Sequence, residues 1–558
     1  MDQKPEEKVK VGYVVGGSLK ESLIIRLTKS PQEVQEGAFV VLKDGAWNFY
    51  GLVTNILLGN TNPRFADEPI EDRLPAYLAR QLHGQTLFTN LEVLPTLMMD
   101  KSEDASKSIL DLKGPIPVKT IPPHNTDVFL ADEDDIGTIF GHETDPGNFR
   151  IGSTREQGLP VCISLDKFVQ RSSGIFGSTG SGKSFLTRII LAGLIHYDRS
   201  SVLIFDMHNE YGVDDIASDT NKRVQGLKSK FAAKVRLVGL GRGASIRGQN
   251  PDFNLEIAEK DIRPEDIELL SRELNLKETT PTTLEALVNC FGERWFSEFK
   301  LLQNGKTEED ENGKRIPAAD STEGWALANG VNAAAAAGLR SKMSRLFNLP
   351  YVVETPAADS LTQIINALEA GQHVVLSFGK HERDLDYLLV TNLLTRKIRE
   401  RWEQTTNKYR SQGEKEPRPL VVVVEEAHKL LNREMAGQTS FSIIAREMRK
   451  YYVTLLIVDQ RPSQIYDEVM SQLGTRITGK LEDDSDLSAV LAGVAGKETL
   501  RGMLAHLQPK EEVLLLGWGV PMPIPVRSRR YDERFWEELL GKAAKKQTVD
   551  EMLKSIGQ

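Results

Sequence analysis

The eight residues GSTGSGKS, Gly177 to Ser184, constrain this chain more than any other stretch. They fit the spacing G-x-x-x-x-G-K-[ST], with the apolar "SSGIF" before them and the helix-like "FLTRIILAGL" after. Strand, glycine loop and helix in that order make a cradle for phosphate. Gly177, Gly180 and Gly182 let the backbone take positive φ, so successive N–H groups along Gly177, Ser178, Thr179, Gly180, Ser181 and Gly182 converge on phosphate oxygens. The helix N-terminus adds partial positive charge. Lys183 reaches the β- and γ-phosphates, Ser184 offers an oxygen to Mg²⁺, and Phe185 completes the nucleotide-binding run. ATP with Mg²⁺ is the expected ligand.

A loop of this kind needs a parallel sheet around it, and the sequence supplies one. From about residue 160, near-continuous apolar strands alternate with helices: "SSVLIFDMH" from Ser200, "QHVVLSF" from Gln372, "PLVVVVEEAH" from Pro419 and "VTLLIVDQRP" from Val453. Strands buried on both faces read this way, so an α/β, RecA-like P-loop core with a parallel-dominated central sheet is expected. Residues 10–60 differ, with short Val- and Ile-rich strands between Gly, Asp and Pro turns that predict a small β-barrel. The polar stretch from Met98 to Ser108 interrupts it, and "TIPPHNTDVFLADEDD" reads as a connector. The expected organisation is therefore 1–160 barrel and connector, 161–530 ATPase core with a helical insert at about 250–350, and 531–558 helical tail. The insert's tip, 303–324, is polar and expected to lack order.

Binding becomes hydrolysis when an acidic strand end is added. Val421–Val424 run into Glu425 and Glu426 at the carboxyl end of a buried strand, where ligands sit in such sheets. Neighbouring strand residues point opposite ways, so Glu425 is expected on the metal side and Glu426 as the base that primes water. Gln460, at the end of the next strand, is a candidate to touch the γ-phosphate or that water. Phosphoryl transfer also needs cations. "FSIIAREMRKYY" predicts one helix, Phe441 to Tyr452, with Arg446 and Arg449 on one face and aimed at a neighbouring subunit's nucleotide. Arg171, just before the phosphate-loop strand, is a further candidate.

Composition limits the partners. With a net charge of −9 over 558 residues, any nucleic-acid contact has to be local, such as a basic channel lining. "NKRVQGLKSK", Asn221 to Lys230, and "GLGRGASIRG", Gly239 to Gly248, are the basic loop candidates. Two cysteines, Cys162 and Cys290, support neither a disulfide framework nor a zinc site, and both are expected to be buried thiols. The polar start "MDQKPEEKVK" predicts no signal peptide, and no apolar run is long enough for a membrane span, so a cytoplasmic location is expected.

With these residues in hand, the chain resembles the HerA group of the HerA/FtsK-type ATPases, the bacterial and archaeal DNA translocases. "GIFGSTGSGKS" is similar to the family's phosphate loop. "IFDMHNEYG", with Asp206, His208, Glu210 and Tyr211, resembles its second-strand signature. The Glu-Glu-Ala-His of "VVVVEEAHKLL" looks like HerA, where FtsK usually has Asp-Glu. "AREMRKYYVTLLIVDQRPSQI" and "EEVLLLGWGVPMPIPVRSRR" resemble the arginine-bearing helix and closing strands, although Met448 stands where many members have glycine.

The resemblance implies a homohexameric ring around DNA with ATP between subunits. It implies Lys183 and Ser184 at phosphate and Mg²⁺, Glu426 activating water, Asp206 supporting the site, Arg449 or Arg446 acting in trans, and Arg171 at the nucleotide. It also implies a partner, a NurA-like nuclease in end resection, or other effectors in antiviral relatives. Two rivals belong to other classes: a conjugation-type ATPase at a membrane, and a nucleotide-dependent scaffold that switches a partner enzyme on.

Overall fold

The computed structural model describes residues 8–19, 21–61, 75, 87–101, 114–216, 221–311, 314–435 and 439–541. The chain forms two compact units: 1–193 with 460–463 and 473–558, and 194–459 with 464–472.

The first unit contains the barrel. Strands Lys10–Gly17, Leu23–Leu27, Phe39–Asp44, Trp47–Asn60, Leu87–Asp100 and Asp127–Leu130 close a ring, because Leu23–Leu27 pairs with both Lys10–Gly17 and Leu87–Asp100. Closure leaves no open edge among these strands. Alternate side chains point inward: Leu23, Ile25 and Leu27 are buried along one strand and pack with Val11, Val40, Leu42, Val93 and Val128. The expected connector contributes to the ring. Asp127–Leu130 pairs with Lys10–Gly17 and Phe39–Asp44, and Asp132 then caps a helix, Glu133–Phe140. Met98 and Met99 lie within a strand, while the remainder of the expected polar interruption, from residue 102, lies outside the described residues.

The same unit holds the strand before the phosphate loop, Ser173–Phe176. It pairs in parallel with Thr475–Thr478, which is followed by an antiparallel series: Glu512–Gly517, Ile524–Ser528, Asn148–Thr154 and Pro160–Ser164. Asp532 caps the tail helix Glu533–Leu540, which buries Phe535, Trp536 and Leu539. The tail beyond Gly541 lies outside the described residues.

In the second unit the strands run in the order Phe253–Leu255, Val235–Leu240, His373–Ser377, Ser201–Asp206, Leu420–Glu425 and Val453–Asp459, each pair parallel. The last four of these are buried at every residue, as their unbroken apolar sequence requires. Val235–Leu240 and Phe253–Leu255 were not anticipated. Arg236 breaks the apolar run of the first, and its last two residues, Gly239 and Leu240, fall within the expected basic loop from Gly239 to Gly248.

The insert is helical, with Thr280–Phe291, Trp295–Leu301, Thr322–Ala328 and Ala333–Phe347 packed around Trp295, Phe296, Phe299, Trp325 and Phe347. Its polar tip is not orderless, since Thr307–Glu309 pairs with Arg315–Pro317 in an antiparallel hairpin.

Cys162 is buried, and burial pushes its thiol up to about 12. Cys290 is exposed, contrary to the expected pair of buried thiols. Among the described residues no helix is long and apolar enough to cross a membrane.

Candidate functional site

The phosphate loop opens the helix Lys183–His196. Its glycines stand where only glycine fits. Gly180 and Gly182 have φ of +76° and +94°, and a Cβ on Gly177 would lie 2.4 Å from Ser181 Oγ. The loop is braced by main-chain bonds: Ser178 N–H to the Lys480 carbonyl at 2.9 Å, Ser181 N–H to Ser178 at 3.1 Å, and Lys510 N–H to Ser181 at 3.1 Å.

Lys183 Nζ donates to the carbonyls of Gly177 and Ser178 at 2.8 and 3.0 Å. The ammonium is thus held over its own loop by neutral acceptors, which an anionic phosphate oxygen outcompetes. Ser181 Oγ is buried with no hydrogen-bond partner among the described residues, an unmet donor inside the cradle. Ser184 and Phe185 lie half-buried in the first turn, with the Phe185 ring 6.4 Å from Tyr531. At the exposed rim Thr179 Oγ1 donates to Gln460 Oε1 at 2.7 Å, so Gln460 does reach the loop.

The acidic strand belongs to the other unit and is built around two other strands. Asp206, buried at the end of Ser201–Asp206, accepts from the N–H groups of Glu210, Tyr211 and Gly212 at 2.7, 3.0 and 3.2 Å. It therefore shapes the turn that follows it. That turn aims Tyr211, whose hydroxyl donates to Glu425 Oε1 at 2.6 Å. Tyr387 donates to the Glu425 carbonyl at 3.0 Å. Glu425 Oε2 is buried and has no partner among the described residues. Burial pushes the Glu425 carboxyl well up, and the nearby Asp206 charge adds to the rise. A buried, half-satisfied carboxylate fits a hard divalent cation, whose charge would offset its desolvation.

Glu426 leaves the strand with φ of +45°, a left-handed conformation unusual for a residue with a Cβ. Its side chain is partly exposed, and its Oε2 lies 3.6 Å from His428 Nδ1. Asp459 accepts from the His428 main-chain N–H at 2.7 Å and faces its Nδ1 at 3.0 Å, which holds the imidazole above its ordinary range. Tyr211, His428 and Asp459 were not assigned roles from sequence. Their signals were present: Tyr211 lies in the second-strand signature, His428 two residues after Glu426, and Asp459 beside Gln460.

The single helix expected to carry Arg446 and Arg449 on one face is broken between them. Arg446 is ion-paired with Glu468 at 3.3 Å, while Arg449 is exposed and makes no ion pair among the described residues. The helix Ser440–Glu447 ends between them, and Met448–Tyr451 form a tighter 3₁₀ turn with Met448 buried. Arg171 lies at the opposite end of Ser173–Phe176 from the phosphate loop, its guanidinium stacked 4.3 Å over Trp518, so within one chain it is not at the loop.

The basic loop candidates are partly neutralised: Arg223 pairs with Asp214 at 2.7 Å, Lys228 with Asp252 at 2.8 Å and Arg242 with Glu256 at 3.1 Å, and Arg247 pairs with Asp215.

Comparison with known proteins gives two family models. "Helicase HerA, central domain" matches residues 149–398, and "HAS barrel domain" matches residues 11–78. The chain is 26% identical over 529 residues to the DNA double-strand break repair helicase HerA of Sulfolobus acidocaldarius, covering 94% of this chain and 93% of that one. It is 23% identical over 487 residues to the protein of the same name from Pyrococcus furiosus, covering 83% and 81%. Among solved structures it resembles VirB4 of Thermoanaerobacter pseudethanolicus with a TM-score of 0.44 and 15% identity, over 70% of this chain and 99% of that one.

Proposed function

We propose that this chain, a P-loop ATPase of the HerA type, is an ATP-driven motor that assembles as a homohexameric ring and moves along DNA without reading its sequence. The observation that carries the reading is Lys183, held over a glycine-shaped loop by carbonyls that a phosphate would displace. The relatives named as DNA double-strand break repair helicases match along more than nine-tenths of the chain in the fullest case, which supports DNA as the track.

The loop's N–H groups and Lys183 hold the β- and γ-phosphates. The Ser184 hydroxyl is the loop's donor to Mg²⁺, which when bound neutralises phosphate charge. Glu425 offers on the metal side its buried Oε2, which has no partner among the described residues. Glu426 takes a proton from the attacking water, and Gln460, bonded to Thr179, stays near the γ-phosphate. Asp206 and Tyr211 keep Glu425 oriented. Arg449, exposed and without an ion pair among the described residues, serves the nucleotide of a neighbouring subunit; Arg446 is held by Glu468, and Arg171, stacked on Trp518, acts between subunits. The protein works in the cytoplasm with a nuclease, NurA-like or of an antiviral system, that processes the DNA it feeds.

The test is ATPase activity with and without linear duplex DNA, alone and with the product of the neighbouring gene. Stimulation by DNA alone supports the motor. Stimulation by the partner alone, with no DNA effect, refutes it in favour of a nucleotide-dependent switch.

A further inference from the structure

The turn that carries Glu426 is held in an unusual shape by groups that none of the proposed chemistry uses. Glu426 has a left-handed backbone at φ +45°, and a residue with a Cβ keeps such a conformation only when its surroundings over-determine it. Its own strand ends one residue earlier, so the strand supplies no ladder bond to fix it. The neighbouring parallel strand, Val453–Asp459, pairs Val458 with Glu425, and this register brings Asp459 alongside the turn.

Asp459 is 1% exposed. Its Oδ2 accepts from the His428 main-chain N–H at 2.7 Å and lies 3.0 Å from His428 Nδ1, with Oδ1 at 3.3 Å from the same nitrogen. A cap on the short helix His428–Leu431 explains the main-chain bond but not the ring bond. The ring bond fixes the imidazole with Nδ1–H on Asp459, 3.6 Å from Glu426 Oε2. That separation is too long for a hydrogen bond but close enough for charge to orient a carboxylate. The charged groups around the imidazole are Asp459, Glu426 and Lys429, and Lys429 is itself held by Asp384 at 2.8 Å.

We propose that His428, clamped by Asp459, is a positioning residue that holds Glu426 in its left-handed turn and aims its carboxylate at the attacking water. The proposal rests on the reading of Glu426 as the base. Neither His428 nor Asp459 need touch nucleotide; both act through Glu426.

The experiment uses the full chain and measures single-turnover ATP hydrolysis, affinity for a fluorescent ATP analogue and melting temperature. Glu426→Gln serves as the reference. His428→Ala should slow single turnover by about tenfold or more, a part of the roughly hundredfold or greater contribution of a positioned base. Analogue affinity and melting temperature should stay close to the parent's. His428→Asn, whose side-chain amide can still donate to Asp459 but carries no charge, should recover only part of the lost rate. Asp459→Asn, nearly isosteric, should show the same loss of turnover at unchanged affinity, which covers the case in which His428→Ala fails to fold.

Turnover at the parental rate in both His428→Ala and Asp459→Asn would overturn the proposal. So would a loss of rate matched by losses of affinity and melting temperature, which marks a merely structural role. If Glu426→Gln itself turns over normally, the assignment of the base fails first, and that result is separate from the other two.

Discussion

Replacing Glu425 by glutamine removes a buried charge while keeping the side chain's shape, and the structure sets what that does to stability. Glu425 is 7% exposed, and among the described residues its carboxylate receives one hydrogen bond, from Tyr211 to Oε1 at 2.6 Å, while Oε2 has no partner. Its carboxyl is pushed well above 4.5 by burial, with Asp206 adding to the shift. The sign follows from linkage. Below about pH 4.5 the group is protonated in both folded and unfolded chains, so glutamate and glutamine are equivalent there. As pH rises through the unfolded value, only the unfolded chain ionises freely, and the parent loses stability until the folded carboxyl ionises too. The glutamine variant has no such loss.

Leaving a buried polar group unsatisfied costs about 1–3 kcal/mol, and more when it is charged. Glutamine leaves an unsatisfied amide in the same place, so only the charge part is recovered, about 1–2 kcal/mol. For a unit of this size this corresponds to a rise of roughly 2–4 °C in melting temperature. The assay is melting of the nucleotide-free parent and Glu425→Gln from pH 4.5 to 8.5, a range that starts at the unfolded carboxyl value. The variant should melt with the parent at the acid end and progressively above it toward neutrality, while its ATPase activity is lost. A gap that does not grow with pH, or a variant less stable throughout, would refute the claim that Glu425 is a costly charge kept for function.

Three further substitutions test the remaining assignments. Lys183→Ala should abolish measurable binding of a fluorescent ATP analogue, and unchanged affinity would remove the phosphate-loop reading. Glu426→Gln should bind ATP and fail to turn it over, by about hundredfold or more in rate; if it turns over while Glu425→Gln stalls, the base is Glu425. Arg449→Ala should keep binding and ring assembly yet lower turnover, and mixing it with Lys183→Ala subunits should restore part of the activity if it acts in trans.

The phosphate loop was legible because its chemistry is local. Glycines at fixed spacing, a strand before and a helix after are all within a short run of sequence. The buried strands were legible for the same reason, since a strand covered on both faces writes an unbroken apolar run such as Val421–Val424. Val235–Leu240 escaped because Arg236 interrupts its run and is paid for by a partner far along the chain, Gln372 Oε1 at 3.0 Å from its Nε. Asp127–Leu130 escaped because four residues among Pro, Asn and Asp carry no periodic signal; barrel closure, a long-range event, recruits them. The break between Arg446 and Arg449 was hidden because the helical spacing continues past Glu447 while the backbone tightens at the buried Met448. The Tyr211–Glu425 and His428–Asp459 contacts join residues 214 and 31 positions apart, and no local pattern announces them.

Two adjacent carboxylates are usually redundant in charge, and here the backbone makes them different. Glu425 ends the strand in extended geometry, so its side chain enters the packed interior beside Tyr211 and Asp206, where charge is expensive. Glu426 flips to positive φ, so its side chain leaves that interior and lies near a histidine held above its ordinary range by Asp459. On the proposed reading, the first of these surroundings serves a cation and the second a water molecule. On that proposal a single backbone flip at Glu426 does what two separate elements would otherwise be needed for, and a strained conformation at the end of an otherwise regular strand has a use. Any change that relaxed Glu426 into extended geometry would return it to the strand's alternation and undo that division.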